Sequence, residues 1–247
     1  MIHLLWCTIR TAQFPNLHYK WLQKCKNASN IKTHVLVSTS TEGDYLSKYF
    51  EALCHKNRIV VFKPDYPGVC LPSYKLSSTL EYDDDDIIVF GSDDFTTPQD
   101  WDQYLINKLK GKDGLLFVRD AYQLPDSSNM LHAAITIPIM TGSALKKMNN
   151  IIYHPTYSHM FSDCELYLTT KDLNLLIDDR LTDATTFEHM HHAAGKRSVD
   201  QHDQSYYQNW KNDESTWNER KNMPVEERIK VANVNFEELF KNSSLFK

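Results

Sequence analysis

The first 120 residues alternate short apolar runs with segments of helical periodicity, and this alternation restricts the possible folds more than any other feature. The apolar runs are continuous, with no regular polar alternation, which is typical of strands buried on both faces. Apolar residues in the intervening segments recur every three or four positions, as on one side of a helix. The predicted strands are residues 4–8, 34–38, 58–62, 87–90 and 115–118, and the predicted helices are residues 16–26, 45–55, 73–82 and 101–109. The pattern predicts an α/β fold with a mixed, mostly parallel sheet flanked by helices.

The chain is less regular after residue 124. Periodicity there predicts a further strand and two helices, at residues 134–139, 143–149 and 162–175. Pro138 interrupts the strand, and Pro224 is typical of a helix start, so we expect a final amphipathic helix. We predict one domain at residues 1–223, with a sheet-based half at 1–120 and a more irregular half at 121–223, and a helical tail at 224–247.

The charge of the chain argues against one class of partner. The sequence has 27 Lys and Arg against 32 Asp and Glu, which gives a formal net charge of -5. Such a chain lacks the basic surface that non-specific nucleic-acid binding requires. Only seven glycines occur, which counts against folds built on glycine-rich phosphate loops.

The cysteines and the lengths of the apolar runs indicate a cytoplasmic protein. None of the five cysteines belongs to a Cys-x-x-Cys pair, and their number is odd, so we expect reduced thiols. No run of about 18 apolar residues occurs, and the first residues do not have the pattern of a signal peptide. We therefore expect no membrane span and a cytoplasmic location.

Two carboxylates follow a predicted strand at its carboxyl end, where parallel sheets bind their ligands. Asp93 and Asp94 come after the strand at 87–90, separated from it by only Gly91 and Ser92. Two carboxylates in this place can bridge a hard divalent cation to a diphosphate, whose charge the cation neutralises. Gly91 would let the backbone approach the phosphates. The alternative interpretation is a solvated turn that caps the next helix.

A denser acidic run precedes the same strand, from Asp83 to Asp86. Its position puts it at the amino end of the strand, away from the binding crevice. We therefore predict a solvated loop at 83–86 and look for function at Asp93 and Asp94 instead.

Five segments match, in chain order, the motifs of one enzyme family. They are residues 5–10 at the first strand, the helix start at 72–75, the acidic segment 92–94 with Pro98 and Trp101 after it, the acidic segment 160–166, and residues 187–189. In this order they resemble the GT-A fold glycosyltransferases, in particular the small family-2-like enzymes of bacteria, phages and large viruses. The resemblance covers roughly residues 1–220.

The resemblance implies a metal-dependent transfer of a sugar, by default a hexose from a uridine diphosphate donor, to a hydroxyl of a glycan or another acceptor. It places five residues against the nucleotide sugar, namely Thr8, Arg10, Asp65, Lys75 and Asp93. Asp94 and His189 would hold Mn²⁺ or Mg²⁺. Asp163, or Glu165 in its place, would remove the acceptor proton in an inverting reaction.

The sequence departs from the family pattern in two places. Ser92 stands where the first aspartate of the Asp-x-Asp motif is usual, so Asp94 is the firmer metal ligand. The acidic residue that is usual after the second strand is missing at 38–40, which leaves Asp44 and Asp65 as candidate contacts for the base.

Several alternatives stay open at this stage. His191 or His192 could replace His189 as the ligand, and Asp163 could serve as a helix cap. A sugar-phosphate nucleotidyltransferase would share the sheet, the cation and the nucleotide, although residues 8–20 contain no glycine for its usual loop. A non-catalytic module that binds a glycan or a partner could have the same fold.

Overall fold

A mixed seven-stranded sheet forms the centre of the described chain. The computed structural model describes residues 1–62, 68–120, 134–181, 185–190, 195–196, 198 and 209–232. The strands are β1 (Ile2–Cys7), β2 (Ile31–Val37), β3 (Asn57–Val61), β4 (Ile87–Gly91), β5 (Phe95–Thr96), β6 (Leu115–Phe117), β7 (Ile139–Thr141), β8 (Leu176–Asp178) and β9 (Glu188–His189). The sheet order is β3-β2-β1-β4-β7-β6-β8, and β5 pairs with β9 in a separate two-stranded ribbon. The predicted α/β fold with a mixed, mostly parallel sheet is confirmed.

Helices cover both faces of the sheet, and each face has its own apolar core. The helices are α1 (Phe14–Gln23), α2 (Ser40–Leu53), α3 (Cys70–Ser78), α4 (Trp101–Leu109), α5 (Gly142–Lys147), α6 (Ser162–Asp172), α7 (Trp210–Arg220) and α8 (Val225–Arg228), with a 3-10 turn at Ala28–Asn30. One core packs α1, α2 and α4 on the sheet through Trp21, Phe50 and Trp101. The other packs α3 and α5 through Leu76 and Leu145, together with α6. None of the helices in these ranges has the length and apolar composition needed to cross a bilayer.

Strand β1 lies where the order of the sheet reverses. It pairs in parallel with β2 on one side and with β4 on the other. Strand β7 is antiparallel to both β4 and β6, so β6 again runs in the direction of β4, and β8 is parallel to β6. The carboxyl ends of β1, β4, β6 and β8 therefore share one edge. The crevice outside β1 and β4 is the expected ligand site of such a sheet.

The strand predicted at 134–139 is shorter and begins later than expected. Strand β7 spans only Ile139–Thr141, because Pro138 has no N–H to give to a ladder. Before the proline, Ile135 donates its N–H to the carbonyl oxygen of Asp163 at 3.1 Å. This bond draws the chain from the sheet toward the start of α6.

The last helix within the described residues is a single turn, shorter than the amphipathic helix predicted to start at Pro224. Helix α8 has four residues. The carbonyl oxygens of the two residues after it bind the side chains of Asn149 and His154 at 2.8 and 3.0 Å, which fixes the chain in a non-helical path. Of the predicted tail at 224–247, residues 233–247 lie outside the described residues.

The acidic run at 83–86 is only partly the solvated loop that was predicted. Its first three residues are exposed, but Asp86 is 7% exposed. The Asp86 carboxylate accepts from the amino group of Met1 at 2.6 Å and from the N–H of Asp83 at 2.9 Å, and it lies 3.0 Å from Nε2 of His3. The prediction is wrong for Asp86 because these three partners compensate for the burial of its charge.

Candidate functional site

The neighbouring carboxyl ends of β1 and β4 bring several predicted site residues together. Thr8 and Arg10 follow β1, and Asp93 and Asp94 follow β4. Because the two strands pair in parallel, the loops after them meet at one edge of the sheet. His189 reaches the same place from β9.

The carboxylate of Asp93 joins the two loops. Trp6 Nε1 donates to its Oδ1 at 2.7 Å, Thr8 Oγ1 donates to its Oδ2 at 3.0 Å, and the Arg10 guanidinium lies 3.6 Å from Oδ2. Burial raises the pKa of Asp93 although these three groups act to lower it, and the charge of Asp94 raises it further. Asp93 therefore holds Thr8 and Arg10 beside the crevice.

Gly91 has a packing role in this arrangement. It is the register partner of Trp6 across β4 and β1. A Cβ on Gly91 would lie 2.7 Å from Cε3 of the indole, which is closer than carbon atoms approach. The missing side chain therefore lets the ring of Trp6 lie across β4 and reach Asp93.

Asp94 makes a separate pair with His189. Oδ2 of Asp94 lies 3.0 Å from Nε2 of His189, and Ser92 donates its hydroxyl to Oδ1 at 2.6 Å. The side chain of Asp94 is 19% exposed and that of His189 is 10% exposed. The pair is largely buried, but its carboxylate stays accessible.

The β5–β9 ribbon fixes the position of His189. Phe95 and His189 are register partners, and their rings stack with centroids 4.3 Å apart. The N–H of His189 donates to the carbonyl of Asp120 at 2.9 Å, and the N–H of Met190 donates to the carbonyl of Asp94 at 2.6 Å. Because Phe95 directly follows Asp94, this pairing places the imidazole beside the carboxylate.

The Asp94–His189 pair fits part of the coordination shell of a divalent cation. Within the described ranges, no three Asp, Glu, His or Cys side chains form a group that could hold a metal. Cations of the Mg²⁺ type often take only one or two carboxylates and complete their shell with phosphate and water oxygens. Adjacent ligands at roughly 2.1 Å from an octahedral cation lie about 3 Å apart, as Oδ2 and Nε2 do here. An imidazole ligand favours Mn²⁺ over Mg²⁺.

Asp163 lies in the first turn of α6. Its Oδ1 accepts from the N–H of Cys164 at 2.9 Å, which satisfies one of the free donors at the helix start. Burial raises the pKa of Asp163, although the Cys164 N–H and the charge of His159 act to lower it. A carboxylate with a raised pKa is better suited to accept a proton than an ordinary surface carboxylate.

Glu165 belongs to a buried ion pair. Arg220 contacts both of its carboxylate oxygens at 2.7 to 3.2 Å, and Tyr157 donates its hydroxyl to one of them at 2.7 Å. Glu165 is 3% exposed and Arg220 is 8% exposed. Removing either partner would leave a buried charge uncompensated. These contacts give Glu165 a structural role and leave Asp163 as the candidate base.

Lys75 lies away from the edge where the other predicted residues meet. It is in the middle of α3, where burial and the charge of Arg58 lower its pKa, and Arg58 is in the first half of β3. Asp65, His191 and His192 lie outside the described residues.

Sequence reasoning missed Glu42, which links the loops after β1 and β2. Thr11 and Ser38 donate their hydroxyls to its two oxygens at 2.9 and 2.6 Å. Burial acts to raise the pKa of Glu42, but the hydrogen bonds from Ser38, Thr11 and Thr39 outweigh it and lower the pKa. Thr39 and Glu42 have the Thr-x-x-Glu spacing of a capping box, and that spacing could have identified Glu42.

The reversed strand order, the helices on both faces and the carboxyl-edge crevice define the GT-A fold, and solved structures with this fold resemble the chain. Residues 1–349 of S. aureus TarS match with a TM-score of 0.61 and 11% identity, over 92% of this chain and 77% of that one. The same TarS fragment in complex with UDP-GlcNAc matches with a TM-score of 0.59 and 12% identity, over 76% and 57%.

A third solved structure with a similar fold is a complex with a guanosine nucleotide sugar. The Pyrobaculum calidifontis mannosyltransferase PcManGT, in complex with GDP-Man and Mn²⁺, matches with a TM-score of 0.55 and 11% identity, over 76% of this chain and 56% of that one. The chain thus spans just over half the length of this structure and of the UDP-GlcNAc complex. No protein-family profile and no curated protein matches the sequence. At such low identities the likeness shows the fold alone.

Proposed function

We propose that the protein is a metal-dependent glycosyltransferase that moves a sugar from a nucleotide diphosphate to an acceptor hydroxyl. The observation that carries the proposal is the Asp94–His189 pair, 3.0 Å apart, at the switch point of a GT-A sheet. The default donor is a uridine diphosphate hexose, and the acceptor is a glycan or another hydroxyl compound. The order of the sequence motifs supports a place among the family-2-like enzymes, and the cysteine pattern and the short apolar runs of the sequence support action in the cytoplasm.

Asp94 and His189 would hold the cation, Mn²⁺ in preference to Mg²⁺. When bound, the cation neutralises charge on the departing diphosphate. The chemistry of this donor set supports the assignment, as does the Mn²⁺ in the PcManGT complex. Thr8 and Arg10, both held by Asp93, would contact the nucleotide diphosphate, since a guanidinium suits phosphate oxygens.

The base of the nucleotide would lie beyond β1 and β2. Glu42 is fixed there by Thr11 and Ser38 and keeps its charge because its pKa is lowered. A charged carboxylate accepts hydrogen bonds from the ring N–H of uracil or guanine. Asp44 and Asp65 are the alternative contacts.

Asp163 would act as the base of an inverting transfer. Its carboxylate takes the proton of the acceptor hydroxyl while the hydroxyl oxygen attacks the anomeric carbon and the bond to the diphosphate breaks. Base catalysis of this kind contributes roughly 10²–10⁴-fold. The raised pKa of Asp163 supports this role, and so does the engagement of Glu165 elsewhere.

The test is release of free nucleoside diphosphate from a panel of uridine, guanosine, cytidine and thymidine diphosphate sugars with Mn²⁺. We expect release from one donor class, loss of release with EDTA, and recovery when Mn²⁺ is restored. Exchange of pyrophosphate into nucleoside triphosphate would indicate a nucleotidyltransferase instead. Failure of every nucleotide to shift the melting temperature, with and without Mn²⁺, would contradict both enzymes and favour a binding module.

A further inference from the structure

A buried carboxylate from α7 holds the turn that leads into α6. Asp213 lies in the first turn of α7 and is buried. Its Oδ1 accepts the backbone N–H of Ser158 at 2.8 Å, and its Oδ2 accepts those of His159 and Met160 at 2.9 and 2.8 Å. Hydrogen bonds to a charged acceptor are roughly twice as strong as neutral ones. Asp213 therefore fixes the path of the backbone at 158–160.

Two further hydrogen bonds hold the same turn. Ser162 donates its hydroxyl to the carbonyl oxygen of His159 at 2.8 Å. The N–H of Val69 donates to the carbonyl oxygen of Ser158 at 2.9 Å, and Val69 directly precedes α3. The turn is thus fixed from two helices, α7 and α3.

Phe161, the last residue before α6, has a backbone conformation that bulky residues rarely adopt. Its φ is 65°, in the left-handed region. Its ring contacts Trp210 edge-on and Trp217 in a stacked arrangement, with centroids 5.2 and 6.3 Å apart. The spacing of Trp210, Asp213 and Trp217 places them on one side of α7. Strained conformations persist only where the surrounding structure enforces them, and they cluster at functional sites.

This turn determines where the candidate base lies. Asp163 follows Phe161 by two positions and belongs to the first turn of α6, so the direction of the chain at Phe161 sets the place of the Asp163 carboxylate. A general base must come within about 2.6–3.2 Å of the group whose proton it takes. A misplacement of about 1 Å can lower a rate by roughly 10²-fold. A contact that fixes the turn therefore affects the transfer without touching the substrate.

We propose that Asp213 is a positioning residue, which directs the Asp163 carboxylate toward the acceptor hydroxyl by holding the turn at 158–161. This assignment rests on the proposed function and adds to it a residue that acts through the proposed base. It follows from the three backbone N–H groups that Asp213 binds, from the enforced conformation of Phe161, and from the short distance along the chain to Asp163.

The test compares Asp213→Asn with Asp102→Asn. Asp102 is a matched control, because it is also 2% exposed and its two oxygens accept the backbone N–H groups of Lys26 and Asn27, each at 2.8 Å. It belongs to α4, on the face of the sheet opposite α6. In both variants an amide NH₂ replaces an oxygen that accepted an N–H. We therefore expect similar falls in melting temperature, about 2–10 °C.

Only Asp213→Asn should change the chemical step. We expect its kcat, measured per folded protein, to fall about 10- to 100-fold. The KM for the donor and the affinity for the free nucleoside diphosphate should stay at their wild-type values, because the base acts on the acceptor. Asp102→Asn should keep the wild-type kcat. A purely structural role of Asp213 would lower the melting temperature and leave kcat unchanged.

Ser162→Ala decides the matter if Asp213→Asn does not fold. This variant removes one neutral hydrogen bond from the same turn, so the protein should stay folded. We expect kcat to fall about two- to tenfold at an unchanged KM for the donor.

Two results would overturn the assignment while the proposed function stands. One is a wild-type kcat in Asp213→Asn or, where that variant does not fold, in Ser162→Ala. The other is an equal loss of kcat in Asp213→Asn and Asp102→Asn, which would show a general effect of lost stability. A wild-type protein that transfers no sugar from any donor would overturn the proposed function and this assignment together.

Discussion

The two edges of the sheet hold buried carboxylates under opposite electrostatic conditions. Burial acts to raise the pKa of each. At the amino edge, the amino group of Met1, a backbone N–H and His3 outweigh burial, and the pKa of Asp86 is lowered. At the carboxyl edge, burial prevails over the hydrogen bonds that Asp93 and Asp163 receive, and their pKa values are raised.

This difference separates the structural carboxylate Asp86 from the candidates Asp93 and Asp163, whereas the candidate Glu42 at the carboxyl edge has a lowered pKa. A carboxylate with a lowered pKa stabilises the fold once it is charged, whereas one with a raised pKa costs stability when it is charged. Charged groups kept at such a cost are typical of sites that bind or catalyse. The number of aspartates alone would favour the amino edge as the functional site, since four aspartates precede β4 and only two follow it. The functional assignment of a carboxylate therefore depends on its position in the sheet and on the groups that surround it.

The largest effect is expected at Asp163. Asp163→Asn removes the proposed base and keeps the shape of the side chain. We expect the transfer rate to fall roughly 10²–10⁴-fold, with donor binding retained and the melting temperature unchanged or higher, because a buried charge is removed. Steady-state rates and calorimetric donor affinities check this, and a wild-type rate would remove Asp163 from the mechanism.

Glu165→Gln is the contrasting variant two positions further along α6. It breaks the buried pair with Arg220, so we expect a loss of stability of about 3–5 kcal/mol. The folded fraction should keep its rate. A stable protein with a strongly reduced rate would instead favour Glu165 as the base.

The next largest effect is expected on the binding of the cation. Asp94→Asn should weaken Mn²⁺ binding by at least about 10- to 100-fold, because an amide oxygen carries no charge for the cation. Asp85→Asn is the matched control, since Asp85 is an exposed member of the acidic run at the opposite edge. Titration of activity with Mn²⁺ measures both. Equal Mn²⁺ dependence of the two variants would place the cation elsewhere.

Substitutions at the two edges should also change the free energy of unfolding by different amounts. Asp86→Asn removes a charge that has an ammonium, an N–H and a histidine as partners, so we expect a loss of about 1–3 kcal/mol in urea unfolding and no change in donor affinity. Asp93→Asn should change stability less and donor affinity more, because its pKa is already raised. A larger loss of stability for Asp93→Asn together with a larger loss of donor affinity for Asp86→Asn would show that the two edges do not differ in this way.

The sequence predicted the fold better than the details of the site. Continuous apolar runs gave the strands, since burial on both faces leaves a simple pattern, and their carboxyl ends located Asp93 and Asp94. The ribbon that fixes His189 escaped prediction because each of its strands is two residues long. The role of Asp86 depends on Met1 and His3, which are more than 80 residues away along the chain.

The smallest effect is a pH dependence of stability that arises at the amino edge. His34 contacts His3 at 3.0 Å and is 1% exposed. Burial, and then the charges of His3 and two basic side chains, lower its pKa from 6.5 to about 3. Between these values the unfolded chain takes up a proton that the folded chain refuses, so the free energy of unfolding falls as the pH decreases. One such histidine contributes up to about 1.4 kcal/mol for each pH unit.

His34→Gln keeps an N–H for His3 and removes the titration. Urea unfolding at pH 7, 6 and 5 should therefore show a shallower slope for this variant than for the wild type. The pH profile of transfer should not move, because it depends on Asp163 at the other edge. An unchanged slope would mean that His34 is protonated in the folded chain, and a displaced transfer profile would mean that the two edges are coupled through the sheet.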